Sequence, residues 1–186
     1  MSTQALEQAI AASRSALVNV SADQLSGSTP CASWNVAELV NHMIGALDFF
    51  ASGVTKEMSA DAVQNPADGD FVAAFDAAAA RCVAAYSADG AAQSMVELPF
   101  GTMPGAAVVG LAATDCFTHG WDVAKATGQS TDLNPELAEQ LLAGAQQSIQ
   151  DGFRGPDTQA PFGAVQQAPD DATTADQLAA FLGRSL

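Results

Sequence analysis

The 186 residues contain two histidines, His42 and His119, and three cysteines, Cys31, Cys82 and Cys116. What they can do depends on their neighbours. Asp115 precedes His119 by four residues, so on a helix the two side chains share a face and can offer an oxygen and an imidazole nitrogen to one cation. Asp122, one turn further on, can orient the His119 ring, because a carboxylate behind a liganding histidine fixes its tautomer. The same spacing also suits a plain Asp–His hydrogen bond, and that reading stays open. His42 would complete a set of two imidazoles and one carboxylate. Three protein ligands with open positions is the arrangement of a catalytic rather than a structural metal site.

These residues need helices to hold them. Residues 104–127 read as one helix on which Pro104, Val108, Leu111, Asp115, His119, Asp122 and Ala126 form a stripe at 100° per residue. The opposite side is also apolar, with Val109, Ala113, Phe117, Trp121 and Ala124, so this helix is expected to be central. Ionisable groups buried in such a helix must be paired, protonated or metal-bound. His42 falls on an earlier helix that begins near Asn35, where Asn35 and Glu38 are spaced as a capping box. Val36, Val40, Met43, Leu47 and Phe50 form its core stripe, and His42 stands on the flank.

The remaining chain reads as helices over 3–20, 70–87, 134–149 and about 173–183. A polar loop is expected over 52–69 and a short extended arm over 93–105 turning at Gly101. Thr102 is expected to cap the following helix, Pro104 to sit in its first turn and Gly128 to end it. The segment 151–171 is expected to be an extended connection. The fold class is all-α: a four-helix bundle with one or two additional helices. A helical bundle over 1–150 carries the site, and the extended segment and short helix of 151–186 pack on the same domain.

Composition narrows the function. Forty alanines and 6% aromatics favour helices over strands. A net charge of −15, from 6 basic and 21 acidic residues, argues against nucleic acid and against an anionic membrane surface. The N-terminus has no signal-peptide pattern and no run is apolar enough to span a membrane. Sparse, unpaired cysteines point to reduced thiols in a cytoplasm. Trp34 and Trp121 are candidate cleft walls. Cys31 and Cys116 read as small core residues, Arg81 as a surface arginine, and the acids of 60–90 and 130–171 as a solvated face.

The run TPCASWNVAELVNHM (29–43) resembles a stretch of the mycothiol-dependent maleylpyruvate isomerase metal-binding domain, and TDCFTHGWDVAKATG (114–128) resembles that family's acid-x-x-x-His-x-Trp-Asp stretch. LPFGTMPG (98–105) and PDDATTADQLAAFLGR (169–184) are similar to an actinobacterial branch of the same group. The resemblance implies a DinB-like antiparallel four-helix bundle. It also implies a divalent metal, zinc above all, held by the positions of His42, Asp115 and His119. Many relatives carry His or Glu where this chain has the shorter Asp115, and the isomerase itself has a further C-terminal domain where this sequence has a short tail. The implied partners are a low-molecular-weight thiol such as mycothiol and an electrophilic substrate, in S-transfer or isomerisation. A non-catalytic metal- or ligand-binding bundle, a metal-dependent hydrolase and a homodimer stay open, and no catalytic residue is assigned.

Overall fold

A computed structural model describes residues 3–57, 67, 69–99, 101–156 and 159–186. Among these, six α-helices and one hairpin account for the regular structure: α1 (Thr3–Leu17), α2 (Val36–Thr55), α3 (Phe71–Ser87), β1 (Met95–Leu98), β2 (Gly101–Pro104), α4 (Gly105–Ala126), α5 (Pro135–Ser148) and α6 (Thr174–Phe181). The first four helices form the core. α1 packs on α4 and α3, and α2 packs on α3 and α4. α4 is central as its pattern requires, with Val108, Ala113, Phe117, Trp121 and Ala124 all but inaccessible to water. α6 packs on α5 and α4.

Local chemistry sets most boundaries. At α2, the Asn35 side chain accepts from the Glu38 amide (2.9 Å) while the Glu38 carboxylate accepts from the Asn35 amide (2.8 Å), so two end donors are satisfied reciprocally. Asp70, Asn134 and Thr173 cap α3, α5 and α6 through their own side chains. α1 stops at Leu17, short of the expected residue 20, and there the Asn19 side-chain Nδ2 donates to the Ser15 carbonyl (2.8 Å).

Two expectations are corrected. α2 does not end near residue 52 but runs to Thr55, with Lys56 closing it in the left-handed region (φ 63°). Gly53 is therefore no breaker: a Cβ there would stand 2.8 Å from Val96 of β1, so the glycine is a notch that lets the hairpin lie on the helix. The remainder of the expected 52–69 loop, 58–66 and 68, lies outside the described residues. Thr102 does not cap α4. It pairs with Glu97 across the hairpin, and Pro104 holds the N-cap position without a side-chain bond. Cross-strand pairing of the whole arm outweighs one capping hydroxyl.

The segment after α5 is largely irregular, with a single 3-10 turn at Asp151–Phe153. Arg154 organises it: its guanidinium donates to the carbonyls of Gly163 (3.0 Å) and Phe181 (2.8 Å) and lies over the Phe181 ring. The tail then crosses this segment at Gly183. The φ of Gly183 is +98°, and an added Cβ would fall 2.6 Å from the Gly163 backbone, so both conformation and contact require glycine there.

Candidate metal centre

α2 and α4 bring His42, Asp115 and His119 to one point. His42 Nε2 lies 3.7 Å and His119 Nε2 3.6 Å from the same Asp115 Oδ1. Both separations are too long for hydrogen bonds. They are close to the spacing of two donors on a common tetrahedral ion, about 3.4 Å when each lies about 2.1 Å from it. His42 Nε2 is the more telling atom: it is shielded from solvent and has no hydrogen-bond partner among the described residues. A buried polar atom without a partner costs about 1–3 kcal/mol, which a bound cation would recover. Two imidazoles and a carboxylate are donors that zinc accepts, so the residues present fit a divalent ion.

The second nitrogen of His119 is held from behind. Nδ1 lies 2.9 Å from Asp122 Oδ2, and Asp122 is wholly buried. Arg184 reaches the same carboxylate from the chain's tail, with Nη2 3.0 Å from Oδ2 and Nε 3.3 Å from Oδ1. The Cys31 thiol donates to Oδ2 at 3.2 Å. Burial alone would raise the Asp122 pKa, but the Arg184 charge and the His119 bond overturn this and lower it to about 2. Burial likewise works to lower the pKa of His119, and the flanking carboxylates of Asp115 and Asp122 push it up to about 10. Asp115, which burial would raise, is held below its ordinary value chiefly by the charge on His119. In the metal-free protein, then, a proton on His119 balances the two acids.

Cys31, His119 and Asp122 also converge closely enough to hold a metal. That set already has a cation, since the Arg184 guanidinium lies on both Asp122 and the Cys31 sulfur (3.5 Å). Among the described residues no lysine or arginine side chain is hydrogen-bonded to the His42–Asp115–His119 set, and in the metal-free protein its positive charge is the proton on His119.

The site opens into a cavity of about 760 Å³ between the 30–34 loop, the α2–α4 contact, Gly155 with residues 159–163, and the tail. Trp34 walls it and packs against His42 (ring centroids 4.4 Å). Trp121 does not line it. This residue is on the far side of α4 from His119, 1% exposed, and its indole donates to Asp176 (2.8 Å), which ties α6 to α4. The same side chain that fails as a wall thus anchors the helix from which the tail returns.

Three further residues depart from expectation. Cys31 is not core: it is half-buried and faces the cavity, whereas Cys116 is buried beside Ser13 as expected. Arg81 is no surface arginine but forks onto the buried Asp48 (2.8 and 3.0 Å). Arg184 is part of the site although its sequence neighbourhood shows no periodic signal. Its one clue is scarcity, as one of six basic residues in a chain of net charge −15.

Sequence comparison places the chain among known proteins. Two proteins of Mycobacterium tuberculosis, uncharacterized protein MT0763 of strain CDC 1551 / Oshkosh and uncharacterized protein Rv0738 of strain ATCC 25618 / H37Rv, are each 43% identical to this chain over 171 residues, covering 91% of it and 90% of their own length. No solved structure matches. The family model for the mycothiol maleylpyruvate isomerase N-terminal domain matches residues 6–124, a span that starts in α1 and takes in both histidines and both acids of the site; the chain belongs to that family and has its helical, DinB-like fold.

Proposed function

We propose that the protein binds one divalent ion, zinc by preference, through His42, Asp115 and His119, and uses it to activate a low-molecular-weight thiol such as mycothiol toward an electrophile, in S-transfer or isomerisation. The observation that carries this reading is the buried, unpartnered Nε2 of His42 aimed with two other donors at one point beside a cavity. A divalent ion there would supply Lewis acidity and lower the pKa of a coordinated thiol, for which the free value is about 8.5.

The chain's own residues do the rest. Asp122 holds the His119 ring so that Nε2 faces the donor point, and Arg184 keeps Asp122 ionised. Trp34 buttresses the His42 ring and gives the cavity an apolar wall. The three cysteines are free thiols, and no helix among the described residues is long and apolar enough to cross a membrane. Both fit the proposed setting, a reducing cytoplasm, and the net charge fits a protein without a nucleic-acid partner.

The test compares holo and metal-stripped protein with thiol and electrophile. Elemental analysis should give about one ion per chain, and product formation should stop on chelation and return with zinc. Equal rates in the two forms would refute the mechanism. Tight metal binding without turnover would identify a non-catalytic binding bundle instead.

A further inference from the structure

We propose that the electrophile taken by this cavity is uncharged, selected because every lysine and arginine of the chain is either committed elsewhere or remote from the site. The inference rests on the thiol-activating function proposed above and names the class of its second substrate. The chain has six basic residues, and each can be placed. Arg14 forks onto Asp76 between α1 and α3 (2.7 and 2.9 Å), and Arg81 forks onto Asp48. Arg154 holds the carbonyls of Gly163 and Phe181. Lys56 and Lys125 are exposed at the C-terminal ends of α2 and α4. None of these lines the 760 Å³ cavity, and Arg184 is the one basic side chain that does.

Arg184 is already spent. Its Nε and Nη2 lie on the two oxygens of Asp122, and Nη1 lies 3.4 Å from the Leu182 carbonyl. A substrate carboxylate could claim this guanidinium only by drawing it off Asp122, which has no water contact, and that would strand a buried charge. The charges at the site point the same way. Asp115 and Asp122 against Arg184 leave one negative charge, which a divalent ion turns into one positive charge. The sulfur of the activated thiol balances that charge. A carboxylate on the electrophile would then be desolvated beside no counter-charge, in a chain whose net charge of −15 repels it from a distance.

What the cavity offers away from the metal donors is apolar and neutral surface. Trp34, Pro161 and Leu182 supply apolar wall, and Gln159 and Ser185 supply uncharged hydrogen-bonding groups. The volume is in the range that takes small organic molecules. Gln159 is exposed, so its side chain can be exchanged without cutting into the core. It is therefore the position at which the charge preference of the cavity can be rewritten.

The probes are 3-phenylpropanamide and 3-phenylpropanoate, which share a skeleton, carry no bond that reacts with a thiol and differ by one charge. In zinc-loaded protein saturated with 2-mercaptoethanol, titration followed by ligand-observed NMR should show the amide binding about tenfold or more tightly than the carboxylate. Gln159→Arg, which sets a cation on the cavity wall, should raise carboxylate affinity by about tenfold and leave the amide close to its original affinity. Equal affinities, a tighter carboxylate or no binding of either probe overturns the proposal. So does a Gln159→Arg variant that holds the carboxylate no better. Zinc uptake and 2-mercaptoethanol binding are measured first on the same sample. Absence of either sinks the function proposed above and this inference with it, whereas protein that binds both but shows no preference for the amide sinks this inference alone.

Discussion

Among the described residues two buried carboxylates have an arginine partner, and they do different things. Asp48 on α2 receives both arms of Arg81 from α3, at 2.8 and 3.0 Å, and does not line the 760 Å³ cavity. Asp122 on α4 divides its charge among Arg184, the His119 ring and the Cys31 thiol, and those three partners line the cavity. The first pair is a clamp between helices. The second is a hub whose partners have further work. A buried acid therefore signals chemistry less by its burial than by how many unlike partners share it, and by whether an unpartnered atom such as His42 Nε2 lies nearby.

The largest effect should separate the two at once. His119→Ala or His42→Ala should abolish tight zinc binding, since two ligands rarely hold the ion. Asp48→Ala should leave zinc affinity within about twofold while costing about 3 kcal/mol of stability, the low end for a broken buried pair because Arg81 is still reached by water. Calorimetric titration and urea unfolding on both variants would check this, and zinc loss in Asp48→Ala would erase the distinction.

Arg184→Ala should cost about 3 kcal/mol, the low end for a broken buried pair, because Asp122 has no water contact but keeps the His119 ring and the Cys31 thiol. Arg184→Lys should recover part of it, which urea midpoints would show. Acid unfolding should show the same hub. Asp122 has a folded pKa of about 2, below the unfolded value of about 3.9, so its stabilisation is fully present above pH 4 and lost as pH falls toward 2. His119 has the opposite sign: its folded pKa of about 10 is above the unfolded 6.5, so in metal-free protein its contribution is full below pH 6.5 and lost as pH rises through 10. Asp122→Asn should flatten the acid limb. The smallest expected effect is on affinity: Asp122→Asn should retain zinc but weaken it, or slow turnover, by roughly 10–100-fold, as losses behind a liganding histidine usually do. Full zinc affinity and full turnover in that variant would reduce the hub to a second clamp.

How much of this was legible in the sequence follows from the range of each interaction. The Asn35–Glu38 box and the Asp115–His119–Asp122 stripe are local, fixed by three- and four-residue spacing, and they stand where periodicity puts them. Trp121 was misplaced as a wall although the same wheel sets it two positions, about 200°, from His119. Gly53 falls within the expected 52–69 loop, and its role, making room for Val96, depends on a hairpin more than forty residues away in the chain. The contacts of Arg184 and Cys31 are not legible from residue spacing for a related reason, although both residues lie in runs that carry the family resemblance. Their meeting at Asp122 spans 62 and 91 residues and is set by irregular backbone, which carries no period to read.

The crossing of Gly163 and Gly183 bears on how this pocket can evolve. Backbone meets backbone there with no room for a methyl group. A side chain at Gly183 would not trim the wall but lift the tail off it, taking Arg184 away from Asp122 in the same move. Neighbours such as Gln159 and Ser185 line the cavity with no such constraint. Variation among descendants of this chain should therefore collect at those positions and leave Gly183 fixed, so that the pocket changes its lining freely and its shape hardly at all.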